Sequence, residues 1–184
     1  MDQKIIENLQ NRTHGKLRFA GVMLAELEAL PGCNGDDFDR SHQEAYFFHL
    51  LGAHDAFLAE INWYYGCKLP DDQVTPGNLR KEIMKAKDDN AEELKELYGL
   101  KSLQGSWLSH VHAMRDHSTH LRGVPRVFNV GAADWDTTWL RNPETKAVIE
   151  EHLPQLLRRW HGEMNDIIAR LRTTALAQMA AARD

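Results

Sequence analysis

An apolar face that repeats with helical spacing over residues 37–65 constrains the fold more than any other feature of the sequence. Its members follow an i, i+3, i+4, i+7 series and are Tyr46, Leu50, Ala53, Phe57, Ile61 and Tyr64. Such a series gives an α-helix one apolar stripe, which a globular protein buries in its core. No segment shows the sustained alternation of apolar and polar residues that is typical of strands. The sequence therefore predicts an all-α protein.

Four other segments show the same helical periodicity. The five predicted helices cover residues 3–30, 37–65, 75–98, 102–122 and 144 to near the chain end. Prolines and glycines in the intervening segments are expected to stop them. One irregular loop region is predicted at 124–145, with a candidate short strand at 126–130. We expect an up-and-down bundle of four long helices plus a fifth, in a single domain of residues 1–184.

Composition excludes several classes of protein. No run approaches the roughly 18 consecutive apolar residues of a membrane span, and the first residues lack the pattern of a signal peptide. Two cysteines cannot make a disulfide framework, so a cytoplasmic protein without membrane contact is expected. A net charge of −5 argues against broad coating of nucleic acid, although it leaves room for a local basic site.

The fourth predicted helix concentrates the residues that can do chemistry. Four of the ten histidines and two arginines fall within residues 109–123. At about 100° per residue, one side of this helix is apolar, with His110 and His117 at its edge. The opposite side is polar and carries His112, Arg115, Asp116, Thr119 and His120. A charged side of this kind is often only a solvated surface, and that interpretation stays open.

The segment Arg115-Asp116-His117-Ser118-Thr119-His120 resembles the Arg, polar residue, three residues, His signature of the HEPN superfamily of helical domains. Many members are metal-independent ribonucleases of defence and toxin–antitoxin systems, and others are non-catalytic RNA-binding modules. The resemblance implies a homodimer whose cleft brings the Arg and His together with their symmetry mates. It further implies RNA as a ligand, an antitoxin-like protein as a candidate partner, and no cofactor.

The same resemblance assigns roles to individual residues. Arg115 is expected to stabilise phosphate charge, His120 to transfer protons, and Asp116 to orient them. This chemistry is sound because attack by a 2′-hydroxyl needs a base, an acid and a cation but no metal. Candidate substrate-binding residues near the motif are Thr119, Arg122 and Arg126.

A second resemblance gives the alternative interpretation. Residues 116–123 are similar to the Asn-His-x-x-x-His-Arg-Gly stretch of the DinB/YfiT-like four-helix bundles, which hold a divalent metal with three histidines. The sequence departs from that pattern at Leu121, where the second histidine should stand. The alternative predicts an open site in the bundle core for one Zn, Ni or Fe ion, formed by His54, His110 and His117. A non-catalytic dimeric interaction module is the third interpretation.

Overall fold

The computed structural model describes residues 3–30, 37–85, 92–119, 124–128 and 138–181. These residues form six α-helices and one small sheet, which confirms the predicted all-α class. The helices are α1 (Gln3–Glu28), α2 (Asp37–Tyr64), α3 (Pro76–Lys85), α4 (Glu92–Ser102), α5 (Trp107–His117) and α6 (Leu153–Ala181). A single 3₁₀ turn, Asp71–Gln73, precedes α3. In this part of the chain no helix combines the length and the apolar character that crossing a bilayer requires.

Helix α2 lies at the centre of the fold and packs against α1, α3, α5 and α6. All six members of its predicted apolar face are buried. Further side chains between them, including Phe47, Leu51 and Leu58, are buried as well. A helix that is apolar on more than one side must be surrounded by other elements.

Helix lengths differ from the predicted plan of four long helices. Helices α1, α2 and α6 have 26, 28 and 29 residues, whereas α3, α4 and α5 have only 10 or 11. The predicted start near 75 is confirmed by α3, but the described residues form two helices here, α3 and α4. The predicted end at 98 and the start of the next helix at 102 are wrong, because α4 continues through Gly99 to Ser102. Helix α5 begins only after Ser106, whose hydroxyl accepts a hydrogen bond from the Ser109 backbone N–H at 3.1 Å. The intervening turn uses Gly105 at a φ of +88°, a conformation that glycine adopts without strain.

A three-stranded antiparallel sheet precedes the last helix. Its strands are β1 (Arg126–Phe128), β2 (Thr138–Arg141) and β3 (Val148–Ile149), in that order. The candidate strand at 126–130 is thus confirmed over its first three residues. A helix starting near 144 is wrong, because Asn142 builds a turn there. Its side-chain oxygen accepts hydrogen bonds from two backbone N–H groups, those of Glu144 and Thr145, each at 2.9 Å.

Candidate anion-binding cleft

A cleft of about 420 Å³ opens where α1, α2 and α5 meet the segment that leads to α3. Its lining residues are Arg12, Lys16, Phe48, Leu51, Gly52, Asp55, Ala56, Ala59, Asp71, Val74 and Arg115. Three of the residues that α2 contributes are small, Gly52, Ala56 and Ala59, and this leaves space between the helices. The volume is within the range of about 300–1,000 Å³ that is usual for ligand sites.

Positive charge predominates among the residues that line the cleft. Arg12 and Lys16 are four residues apart on α1, a spacing that places two side chains on the same helix face. Arg115 reaches the cleft from α5, and Asp55 and Asp71 supply the negative charges. Three cations against two carboxylates give a local charge of +1, whereas the whole chain carries −5. The cleft is therefore a local cationic site on an acidic protein.

Arg115, the arginine of the HEPN-like signature, is half-buried at the cleft. Its Nε atom lies 2.9 Å from Oδ1 of Asp116, which makes an ion pair between neighbouring residues. This contact is not a hydrogen bond, and Nε is buried with no hydrogen-bond partner among the described residues. The hydroxyl of Thr119 donates to the Arg115 backbone carbonyl at 2.8 Å, and Thr119 is not among the cleft residues. Asp116 thus contacts Arg115 directly, whereas Thr119 contacts the backbone of its own helix.

The carboxylate of Asp55, which lines the cleft, is positioned by the side chain of His54. Its Oδ1 atom lies 3.0 Å from Nδ1 of His54, the preceding residue. Partial desolvation acts to raise the pKa of Asp55, but the hydrogen bond with His54 and electrostatic interactions with His54, His112 and Arg115 outweigh it. The net result is a pKa below the ordinary 3.8. Asp55 therefore stays ionised at neutral pH and faces the same cleft as Arg115.

The polar side of α5 is only partly a solvated surface. His112 was expected on that exposed side, yet its ring packs edge to face on the buried ring of His54, with centroids 5.5 Å apart. Burial, followed by electrostatic interactions with His54 and Lys101, lowers the pKa of His112 from 6.5 to about 3. The imidazole is therefore neutral at physiological pH. The prediction of an exposed His112 is wrong because α2 covers this side of α5.

The three histidines of the alternative metal interpretation do not converge. His110 Nδ1 accepts a hydrogen bond from Nδ2 of Asn142, 2.7 Å away, and the His110 ring stacks on Trp160. His54 meets His112 instead, and His110 and His112 project about 200° apart around α5. Within the described part of the chain, which includes His54, His110 and His117, no three His, Cys, Asp or Glu side chains are arranged to hold a metal ion. The residues present therefore do not fit the predicted three-histidine centre.

Arg126, a predicted substrate-binding residue, has a structural role instead. Its guanidinium donates to both carboxylate oxygens of Asp39, at 2.7 and 3.1 Å, and to Oε1 of Gln43 at 2.9 Å. The Arg126 side chain is only 4% exposed, so it joins β1 to α2 and does not reach the cleft. This corrects the prediction. His120 and Arg122 lie outside the described residues.

Sequence reasoning identified Arg115 but not the residues that share its cleft. Arg12 and Lys16 carried one available signal, since an i, i+4 pair of cations marks one face of the first helix. Asp55 carried another, because it directly follows His54, which the alternative metal interpretation had already placed in the bundle core. Neither signal predicts which other helix packs against the helix face that carries these residues. The cleft could be recognised only once α1, α2 and α5 were placed together.

These observations define a helical protein with a small cationic cleft beside its central helix. The chain belongs to a family of unknown function, DUF6586, which it matches over residues 8–178. No curated protein and no solved structure matches it. The matched range contains every residue that lines the cleft.

Proposed function

We propose that this protein binds the phosphodiester backbone of RNA in the cleft and cleaves it without a metal ion. The observation that carries the proposal is the convergence of Arg12, Lys16 and Arg115 on one cleft of a chain whose net charge is −5. A phosphate contributes negative charge and several acceptor oxygens, and arginine recognises it with parallel N–H donors. Arg115 lines the cleft and its side chain is 32% exposed, so part of the guanidinium is accessible to a phosphate there.

The proposed cleavage follows from the HEPN-like signature. The 2′-hydroxyl oxygen of one nucleotide attacks the adjacent phosphorus, and a general base takes the hydroxyl proton. The bond from phosphorus to the 5′-oxygen of the next nucleotide breaks, and that oxygen takes a proton from a general acid. The products are a 2′,3′-cyclic phosphate and a 5′-hydroxyl, so neither water nor an oxidant is consumed. Arg115 stabilises the phosphate charge in the transition state.

Two copies of His120, one from each chain of a homodimer, supply the base and the acid in this proposal. Asp116 holds the Arg115 guanidinium through the ion pair described above. Asp55 stays negatively charged in the cleft of the free protein and interacts electrostatically with Arg115. An incoming phosphate must therefore compete with this carboxylate for Arg115. The homodimer itself is tested by multi-angle light scattering, which distinguishes 21.1 kDa from twice that mass.

Binding is tested by fluorescence anisotropy with a short labelled RNA in buffer that contains a chelator. Arg115→Ala and Arg12→Ala should each weaken binding by about tenfold, since hydrogen bonds to charged groups contribute on the order of 1.5–3 kcal/mol. Each should also reduce the slope of log K against log salt by about 0.7. Arg158→Ala is the matched control, because Arg158 is an exposed arginine paired with Glu28 outside the cleft. Equal effects of all three variants would exclude the cleft as the binding site.

Cleavage is tested on the same RNA by gel electrophoresis and mass spectrometry of the products. We expect 2′,3′-cyclic phosphate ends from the natural protein in chelator, and their loss in His120→Ala with RNA affinity retained. Binding without any cleavage would reduce the function to that of an RNA-binding module. Cleavage that requires an added metal would contradict the proposed chemistry.

A further inference from the structure

Three rings form a row on the surface where α1 packs against α2. The ring of His49 lies between those of Phe19 and Phe48, with centroid distances of 5.3 and 5.4 Å. Phe48 also lines the cationic cleft, so one end of the row meets the site proposed to hold phosphate. Phe19 and Phe48 remain 46% and 54% exposed although both belong to helices that pack closely together. Packing of the core does not explain why these two phenylalanines lie in a row with about half of each side chain exposed.

A cation lies over each of the two phenylalanine rings. The Lys16 ammonium lies 4.9 Å from the centroid of the Phe48 ring, and the Arg18 guanidinium lies 5.6 Å from that of Phe19. Both contacts fix the orientation of an exposed ring. Burial and the nearby Lys16 lower the pKa of His49 below 6.5, so its ring is uncharged at neutral pH. The surface thus presents flat, neutral rings and positive charges within a few ångströms of one another.

We propose that Phe48, His49 and Phe19 form a stacking track for the unpaired bases of a single-stranded nucleic acid whose phosphates enter the cleft. The inference rests on the proposed function, because the cleft supplies the phosphate contacts. Aromatic rings beside a positively charged groove are the combination that binds single strands, since every base has a face that can stack. Paired bases in a duplex keep their faces covered by their neighbours and cannot use the track.

Charge favours a nucleic acid over a second copy of this chain on the same surface. A twofold interface places the same patch of each chain against its partner. Lys16 and Arg18 of one copy would then approach those of the other, and like charges across an interface are unfavourable. A polyanionic strand meets the same cations favourably.

The test uses three labelled probes at one salt concentration in chelator. They are a single-stranded RNA, the same strand annealed to its complement, and a strand of equal length that keeps the phosphates but lacks the bases. The variants are Phe48→Leu and Phe19→Leu, which keep an apolar side chain and remove the ring. The matched control is Phe38→Leu, because Phe38 is an α2 phenylalanine that is 51% exposed, contacts a histidine ring and lies outside both row and cleft.

We expect the natural protein to bind the single strand at least tenfold more tightly than the duplex or the base-free strand. Phe48→Leu and Phe19→Leu should each weaken single-strand binding by about tenfold, and Phe19→Leu, which lies outside the cleft, should leave binding of the base-free strand unchanged. Phe38→Leu should bind all three probes as the natural protein does. Unchanged circular dichroism and melting temperature establish that the variants are folded.

Several results would overturn the inference. One is equal affinity for single strand and duplex, and another is unchanged single-strand binding in both Phe48→Leu and Phe19→Leu. If Arg115→Ala still weakens binding in that case, the phosphate cleft stands and only the stacking track fails. If no probe binds the natural protein, the proposed function fails together with the track. If the ring variants turn a dimer into a monomer and weaken all probes equally, the surface is an interface between copies.

Discussion

The ring of His112 lies edge to face on that of His54, at an interplanar angle of 86° and a centroid distance of 5.5 Å. His54 directly precedes Asp55, and His112 is one helical turn before Arg115. The pair therefore connects α2 to α5 beside the two oppositely charged residues of the cleft. The Nε2 atoms of both rings are buried and have no hydrogen-bond partner among the described residues. Protonating the His112 ring would place a charge between the two helices, where burial disfavours it.

The protein should lose stability in mild acid because of His112. Its pKa is about 3 in the folded protein and 6.5 in a model peptide, so below pH 6.5 the unfolded chain binds a proton that the folded chain does not. Each pH unit between these values then lowers the free energy of unfolding by up to about 1.4 kcal/mol. From pH 7 to pH 5 we expect the natural protein to lose about 1–2 kcal/mol more than His112→Gln in urea titrations. Exposed His152→Gln is the control, and equal pH dependence of protein and His112→Gln would contradict the assignment.

Glu60 should be critical for stability because it is a completely buried carboxylate. Arg172 donates to both of its oxygens, at 2.8 and 2.9 Å, and the hydroxyls of Tyr64 and Thr13 donate to them as well. Glu60→Ala leaves the guanidinium in the core without its counter-charge, so the free energy of unfolding should fall by about 3–5 kcal/mol. Urea denaturation measures the loss. Glu163→Ala, which breaks an exposed pair on α6, should cost no more than about 1 kcal/mol.

Gly52 should control the space in the cleft. A Cβ atom at this position would lie 3.3 Å from Cδ of Lys16, whose flexible side chain can move aside. Gly52→Ala should therefore stabilise α2 by up to about 1 kcal/mol through helix propensity. Gly52→Leu extends into the cleft and should weaken RNA binding by about tenfold, the equivalent of one lost phosphate contact. Gly162→Leu is the control, since nothing lies within 4 Å of its Cβ position, and equal RNA affinity of the two leucine variants would contradict this prediction.

Removing the negative charge of Asp55 should strengthen RNA binding, whereas removing the positive charge of Arg115 should weaken it. Asp55→Asn keeps an oxygen that can accept the His54 hydrogen bond but no longer repels a phosphate in the cleft. RNA affinity should rise by about threefold, the size expected for one unit charge a few ångströms away in water. Asp166→Asn on α6 makes the same change of net charge at an exposed position and should have little effect. Weaker binding in Asp55→Asn would show that the carboxylate contacts the ligand favourably.

The sequence predicted α2 and the all-α class well because helical periodicity is a local property. Each apolar residue of the 37–65 series is followed three or four positions later by another, and any helix built from them buries that stripe. Of the sheet, the sequence predicted only the candidate strand at 126–130, whose first three residues form β1. Strands β2 and β3 have four and two residues, which is too short for alternation to be seen. Their positions depend on pairing with one another and on the Asn142 turn.

Packing between the helices determined whether a candidate site residue lies in the cleft or is buried elsewhere. Arg126 and Arg115 have the same side chain and stand eleven positions apart, yet one lies in a buried ion pair with Asp39 and the other in an open cleft. His112 follows the predicted polar side of α5 but is covered by α2. Helical spacing states which residues share a side of one helix. It does not state whether a neighbouring helix covers that side.

The sequence by itself determined that this chain is helical, which stripe of α2 is buried, and that Arg115 and Asp116 are neighbours on one helix. Those properties depend on residues within about one or two helical turns of one another. Only the tertiary structure decided that Arg12, Lys16 and Asp55 share a cleft with Arg115, and that His54 meets His112 rather than His110. These residues are 58 or more positions apart from their α5 partners in sequence, so their proximity results from how α1 and α5 pack against the central helix.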